Sequence, residues 1–282
     1  MSRKLSRRNV PLNFVRGRTG FQPILFGVCV LIAAAAAAVT PAAAQESRWN
    51  EGGGADSGSS ATRSTEKAWR DQEPIELDGV EIREYEGERL SLISRAFREN
   101  SIRGPQYLER EEYELRIEMP GSGSNGGTVR SLSYDEVLAF DAYTKIVTLY
   151  CVEGWRAKIL WEGVLVEDLL GMPGPRAGSA DRTSGGSKGK VVKFFAADGY
   201  STSLPLDFVL ENDLLLAYKM NGVTLPPERG FPFQLVAEDK WGYKWIKWVT
   251  RIRVDDDADF RGFWESRGYR NDADLDEPFY SR

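Results

Sequence analysis

The chain has 282 residues, 41% of them hydrophobic and 28% charged, with a formal net charge of −5. That length suffices for one sizeable domain with a buried core. There is no histidine and there are only two cysteines, which excludes His-ligated zinc, haem or non-haem iron and every Ser-His or Cys-His nucleophilic mechanism.

Residues 1–44 carry Arg3, Lys4, Arg7, Arg8, Arg16 and Arg18 but no acid, then an apolar run over 24–39 and the small residues Ala42-Ala-Ala44. These are the three parts of an export signal, and cleavage after Ala44 would also remove Cys29. The run is short and Ala-rich for a membrane span, so removal is expected; a retained N-terminal membrane anchor is the alternative. Ser6-Arg-Arg8 resembles a twin-arginine signal, although Val10 and Pro11 follow where a bulkier apolar pair is usual. Without the signal, 31 basic residues face 42 acidic ones. Such a chain repels phosphate backbones, and no nucleic-acid partner is expected.

Residues 45–75 read as a disordered linker, with Gly52-Gly-Gly54, Ser57-Gly-Ser-Ser60 and almost no aliphatics. The domain is expected over 76–282. A weak edge strand is predicted near Glu81-Ile-Arg-Glu-Tyr85. Tyr113, Leu115 and Ile117 alternate with charged residues, as in a half-buried strand. Residues 121–127 predict a flexible turn, and Ser133-Tyr-Asp-Glu136 is a capping box opening a short helix. The strand through Lys145-Ile-Val-Thr-Leu-Tyr150 delivers Cys151. Residues 164–170 predict a helix stopped at Gly171, and 174–189 predict an exposed Gly/Ser-rich insertion. Further strands are predicted over 191–196, from Tyr200, over 215–220 with a turn at Asn221-Gly222, over 233–237 and over 248–254, with a short helix near 206–211. The class is α+β, rich in sheet, with short helices.

Cys151 is the one cysteine outside the export signal, at a strand end in Cys151-Val-Glu-Gly-Trp155. On spacing alone it reads as a buried, inert thiol. The text downstream runs Trp161-Glu-Gly-Val164, Asp198-Gly-Tyr200, Ser203-Leu-Pro-Leu206, Met220-Asn-Gly222, Gly230-Phe-Pro232, Trp241-Gly-Tyr-Lys-Trp-Ile-Lys-Trp248, Gly262-Phe-Trp-Glu265 and Gly268-Tyr269. In order and spacing this set, over about 95–270, resembles the molybdopterin-binding domain of the sulfite oxidase family. That family includes periplasmic methionine sulfoxide reductase catalytic subunits.

The resemblance implies the sulfite oxidase fold and a molybdenum–molybdopterin cofactor, with Cys151 as the protein's metal ligand, a soft thiolate suited to the metal. It implies that Lys244, Trp245, Ile246 and Lys247 wrap the pterin tail, Lys244 and Lys247 offering ammonium groups to its phosphate. Asn100, Arg103 and Gly104 match a cofactor-contacting loop. Arg156, five residues past Cys151, matches an arginine that binds the anion in sulfite-oxidising members. Tyr200 and Tyr243 are candidate hydrogen-bonding or proton-donating groups. Gln234 stands where the family usually has an arginine; the departure implies weaker anion binding, a neutral substrate, compensation by Arg229 or Arg156, or a degenerate site.

The expected activity is therefore periplasmic oxygen-atom transfer to or from a sulfur centre, sulfite or sulfoxide. Electrons would pass to or from a separate cytochrome or a membrane quinol-linked protein. No haem and a monomer are expected. The rival is a catalytically degenerate binding module that keeps the fold without turnover.

Overall fold

The computed structural model describes residues 80–121, 127–172 and 190–280. The export signal, the linker, the turn at 122–126 and the insertion at 173–189 lie outside the described residues. A two-strand hairpin, β1 (Glu84–Tyr85) and β2 (Glu88–Arg89), comes first, followed by the short helix α1 (Ile93–Ala96). Then come β3 (Glu114–Met119), β4 (Thr128–Ser133), helix α2 (Tyr134–Leu138), β5 (Ala142–Tyr150) and β6 (Arg156–Leu165). Helix α3 (Val166–Leu170), β7 (Val191–Ala196), β8 (Ser201–Pro205) and helix α4 (Leu206–Glu211) follow. Four strands complete the set: β9 (Leu215–Met220), β10 (Val223–Thr224), β11 (Gln234–Val236) and β12 (Val249–Asp255).

Two five-stranded sheets carry the fold. One runs β10-β9-β6-β5 with β11 also paired to β9; the other runs β4-β3-β12-β7-β8. All described pairings are antiparallel except β12 with β3. The α+β class, sheet-rich with helices of four to six residues, is as expected.

Local chemistry explains the elements. Leu115 and Ile117 are buried while Glu114 and Arg116 face outward, the period-2 pattern of a half-buried strand. Ser133 accepts from the Glu136 amide while the Glu136 carboxylate accepts from the Ser133 amide, so the capping box forms. Helix α3 ends at Gly171 in the left-handed region, φ 65°.

The short elements β2 and α1 were not anticipated, and neither were two longer strands. β6 is ten residues long, and its near-continuous apolar burial obscures any alternation. β4 is exposed along most of its length and offers no apolar face to read. The core lies where the helices and both sheets meet, with Trp161, Trp248, Phe194 and Phe233 fully buried.

Candidate cofactor site

Cys151 follows the end of β5. Its amide donates to the Trp155 carbonyl (2.9 Å) and its carbonyl accepts from the Gly154 amide (3.0 Å), closing a tight turn with Gly154 at φ 86°. Three donors meet the sulfur: the amides of Val152 and Glu153, and the Asn100 side-chain amide at 3.7 Å. Burial pushes the thiol up, the Glu153 charge adds to this, and the three donors oppose both. Behind the turn, Gly242 sits so close that an added Cβ would lie 3.1 Å from the Tyr150 carbonyl oxygen and 3.4 Å from the Cys151 Cα.

A second cluster joins elements far apart in sequence. Glu99 accepts from Lys247 Nζ at 2.6 Å and pairs with the Arg229 guanidinium at 3.6 Å. Burial lowers the pKa of both cations, and Glu99 counteracts this. Lys247 also lies 4.2 Å from the Trp248 ring, and Trp248 holds a left-handed φ of 52° that is uncommon for an aromatic residue.

A third group is the Asp198-Gly199 turn. Asp198 is raised by burial and lowered by amide bonds from Tyr200 and Ile102 and by the charges of Lys247 and Arg103. The Arg103 guanidinium lies 3.8 Å from where a Gly199 Cβ would be. The loop 99–104 thus touches all three groups: Asn100 at the sulfur, Glu99 at the cation pair, Ile102 and Arg103 at the turn. Gly104 closes that loop, buried and at φ 82°.

The remaining expected residues fall elsewhere. Lys244 is fully buried, but its ammonium donates to Glu265 (2.6 Å) and the Ser203 carbonyl (2.9 Å), so it is an internal ion pair rather than a free phosphate ligand. Trp245 packs on Trp161 and donates to the Lys240 carbonyl, while Ile246 is a core residue whose carbonyl bonds the Leu235 amide. Their contribution is to hold the backbone between Gly242 and Lys247. The Tyr200 hydroxyl donates to the Tyr243 carbonyl at 2.6 Å, and that of Tyr243 to the Arg270 carbonyl at 2.9 Å.

Arg156 pairs with Tyr150 across β5 and β6, one register step from the buried Leu149–Ala157 pair. The pleat therefore turns Arg156 outward, away from the face that Cys151 shares with Leu149. Gln234 is buried and its Cβ, like that of Lys247, crowds Gly230. Arg229, not Gln234, is the guanidinium in the cluster.

Glu99, Asp198, Glu153 and Tyr269 were not anticipated as site residues. Tyr269 is pushed up to about 12, first by burial and then by Tyr280, with the charges of Cys151 and Glu153 adding to it. Its place in Gly268-Tyr269 was the available signal.

Buried Glu99 Oε2, Ser101 Oγ and Arg229 Nε have no hydrogen-bond partner among the described residues. A buried polar group left unpaired is costly, and these three cluster around the 99–104 loop and its cation pair. With a soft sulfur against the same loop and the Lys247 and Arg229 cations beside them, these unpaired groups suit a ligand bearing both anionic and polar ring atoms. Among the described residues no group of three His, Cys, Asp or Glu could hold an ion unaided, so Cys151 would add its sulfur to ligands that an organic cofactor brings. The residues fit a metal-bearing pterin phosphate.

The family described as the oxidoreductase molybdopterin binding domain matches residues 103–264. The chain belongs to that family. An uncharacterized oxidoreductase of Bacillus subtilis, YuiH, is 34% identical over 144 residues, covering 51% of this chain and 67% of that protein. Mitochondrial sulfite oxidase of Mus musculus is 28% identical over 190 residues, covering 58% of this chain and 32% of that protein. The chain thus spans about a third of the length of the sulfite oxidase. The sulfane dehydrogenase SoxCD of Paracoccus pantotrophus aligns with a TM-score of 0.44 at 23% identity, over 54% of this chain and 40% of that one. No helix of the described residues is long and apolar enough to cross a membrane.

Proposed function

We propose that this chain is a molybdenum oxidoreductase that transfers an oxygen atom to or from a sulfur centre and works in the periplasm. The observation that carries the reading is one buried thiol, met by three donors and joined through loop 99–104 to the Glu99–Lys247–Arg229 cluster. Cys151 would ligate the metal, with Asn100 and the Val152 and Glu153 amides donating to the sulfur and opposing the burial that favours its neutral form. Lys247 and Arg229 would take the pterin phosphate, with Arg103, Gly104 and Ser101 lining the approach. The cofactor supplies two-electron oxygen-atom chemistry; the protein supplies orientation, exclusion of water and charge.

Tyr269 would hold a proton near the reacting centre, since burial and then Tyr280, with the charges of Cys151 and Glu153 adding, keep its phenol neutral. The basic, acid-free start and the apolar run of residues 24–39 support export, and Ser6-Arg-Arg8 supports a route for folded protein. Electrons would be exchanged with a separate cytochrome or a membrane quinol-linked protein, and the chain would act as a monomer.

The test is metal analysis of protein matured in a cofactor-competent host, with turnover of sulfite and methionine sulfoxide using artificial electron carriers. One molybdenum per chain, lost in Cys151→Ser, is expected, together with activity on one substrate. Metal-free native protein refutes the enzyme reading and leaves the binding module.

A further inference from the structure

Among the described residues, several cations near the candidate site are held by partners or stand away from the Cys151 turn. Lys247 and Arg229 pair with Glu99, Lys244 with Glu265 and Lys240 with Asp274. Arg270 is held by Asp272 and Glu277, and Arg267 donates to the Phe263 carbonyl. Arg103 stands over the Asp198-Gly199 turn, and Arg156 lies on the outer face of the β5–β6 ladder.

The acid side is different. Glu153 lies in the same four-residue turn as Cys151, close enough for its own amide to reach the sulfur, and its carboxylate accepts from the Trp155 indole N–H at 3.2 Å. That bond holds an exposed negative charge beside the thiol.

We infer that Glu153 is a specificity-determining residue, a fixed negative charge that disfavours anionic substrates and selects an uncharged S-oxide over sulfite. The substrate half of this inference rests on the proposed function; the charge half does not. An unpaired charge at close range acts by Coulomb repulsion, so its removal changes the ratio of anionic to neutral reactants and leaves neutral ones little affected.

The charge half is read without cofactor, in a Cys29→Ser background so that Cys151 is the sole thiol. Alkylation rates are measured with iodoacetate, an anion, and with iodoacetamide, its neutral counterpart, each normalised to a free thiol peptide. Glu153→Gln should raise the iodoacetate-to-iodoacetamide ratio by about three- to tenfold at low salt, a gain that shrinks at high salt. A ratio unchanged within twofold overturns the inference. Arg156→Gln, with its side chain on the other face, should leave the ratio unchanged, and a fall there as large as the Glu153→Gln rise also overturns it.

In the cofactor-loaded protein, kcat/KM for sulfite relative to methionine sulfoxide should rise in Glu153→Gln, mainly through a lower KM for sulfite. A shifted alkylation ratio with no turnover of either substrate would support the charge filter while refuting oxygen-atom transfer. Turnover with a sulfite preference that Glu153→Gln leaves unaltered would refute the filter and leave the reaction class standing.

Discussion

Replacing Glu265 by alanine separates an internal ion pair from a cofactor contact. Lys244 and Glu265 have no exposed side-chain surface, and their charged atoms are 2.6 Å apart. Thr202 also donates to the same carboxylate oxygen at 2.6 Å. Removing the acid leaves an ammonium in the interior with only the Ser203 carbonyl at 2.9 Å and the Asn271 side chain at 3.4 Å. Breaking a buried pair from one side costs about 3–5 kcal/mol, because the partner is left uncompensated. For a domain of this size that corresponds to a drop in Tm of about 6–20 °C.

The assay is thermal unfolding by circular dichroism on cofactor-free protein, with Lys244→Met and the Lys244→Met/Glu265→Leu pair alongside. The double variant should recover much of the loss, since an apolar pair of similar volume avoids the desolvation of both ions. A Glu265→Ala variant that melts within a degree or two of the parent would refute the reasoning. So would a Lys244→Met variant that melts normally yet fails to retain cofactor, because that would make Lys244 a phosphate ligand.

Three further outcomes are expected. Lys247→Met should lower retained molybdenum several-fold while leaving the circular dichroism spectrum intact, which metal analysis after gel filtration would check. Gly242→Ala should disturb the Cys151 turn, because the added Cβ has only 3.1 Å to the Tyr150 carbonyl oxygen; reduced metal content and a lower Tm are the readouts. Stability should fall as pH rises above about 10. Burial raises buried Tyr113 and the Tyr200 phenol well above the ordinary phenol value, so over that range the unfolded chain binds fewer protons than the folded one. Each such phenol then removes up to about 1.4 kcal/mol per pH unit, a slope that urea unfolding at pH 9 to 11 would measure.

Much of the scaffold was legible because short-range rules govern it. Ser133 and Glu136 satisfy one another across three residues, Gly171 stops its helix from the position that needs positive φ, and the Asn221-Gly222 turn joins β9 to β10. β6 was not legible, since burial on both faces removes the alternation that marks a strand. The site divides the same way. Cys151 and Lys247 stood out by residue type and order. Glu99 did not, because nothing local distinguishes a carboxylate that will meet Lys247 148 residues later. Lys244 and Lys247 look equivalent in sequence, yet chain geometry sends one ammonium into the interior and the other towards loop 99–104. Arg156 was assigned from the resemblance at its distance from Cys151, and the pleat decides its direction.

Gly242 bears on how the site is assembled. Its bare backbone lets the segment that ends in Lys247 rest directly on the turn that carries Cys151, with buried Trp245 and Ile246 bracing the span between. The backbones that carry Cys151 and Lys247 are therefore mounted on one block, their spacing set by main-chain contact. A guest needing both must match that spacing on arrival, so the fold works as a fixed gauge for the molecule it accepts, and a slip of one end would be transmitted to the other.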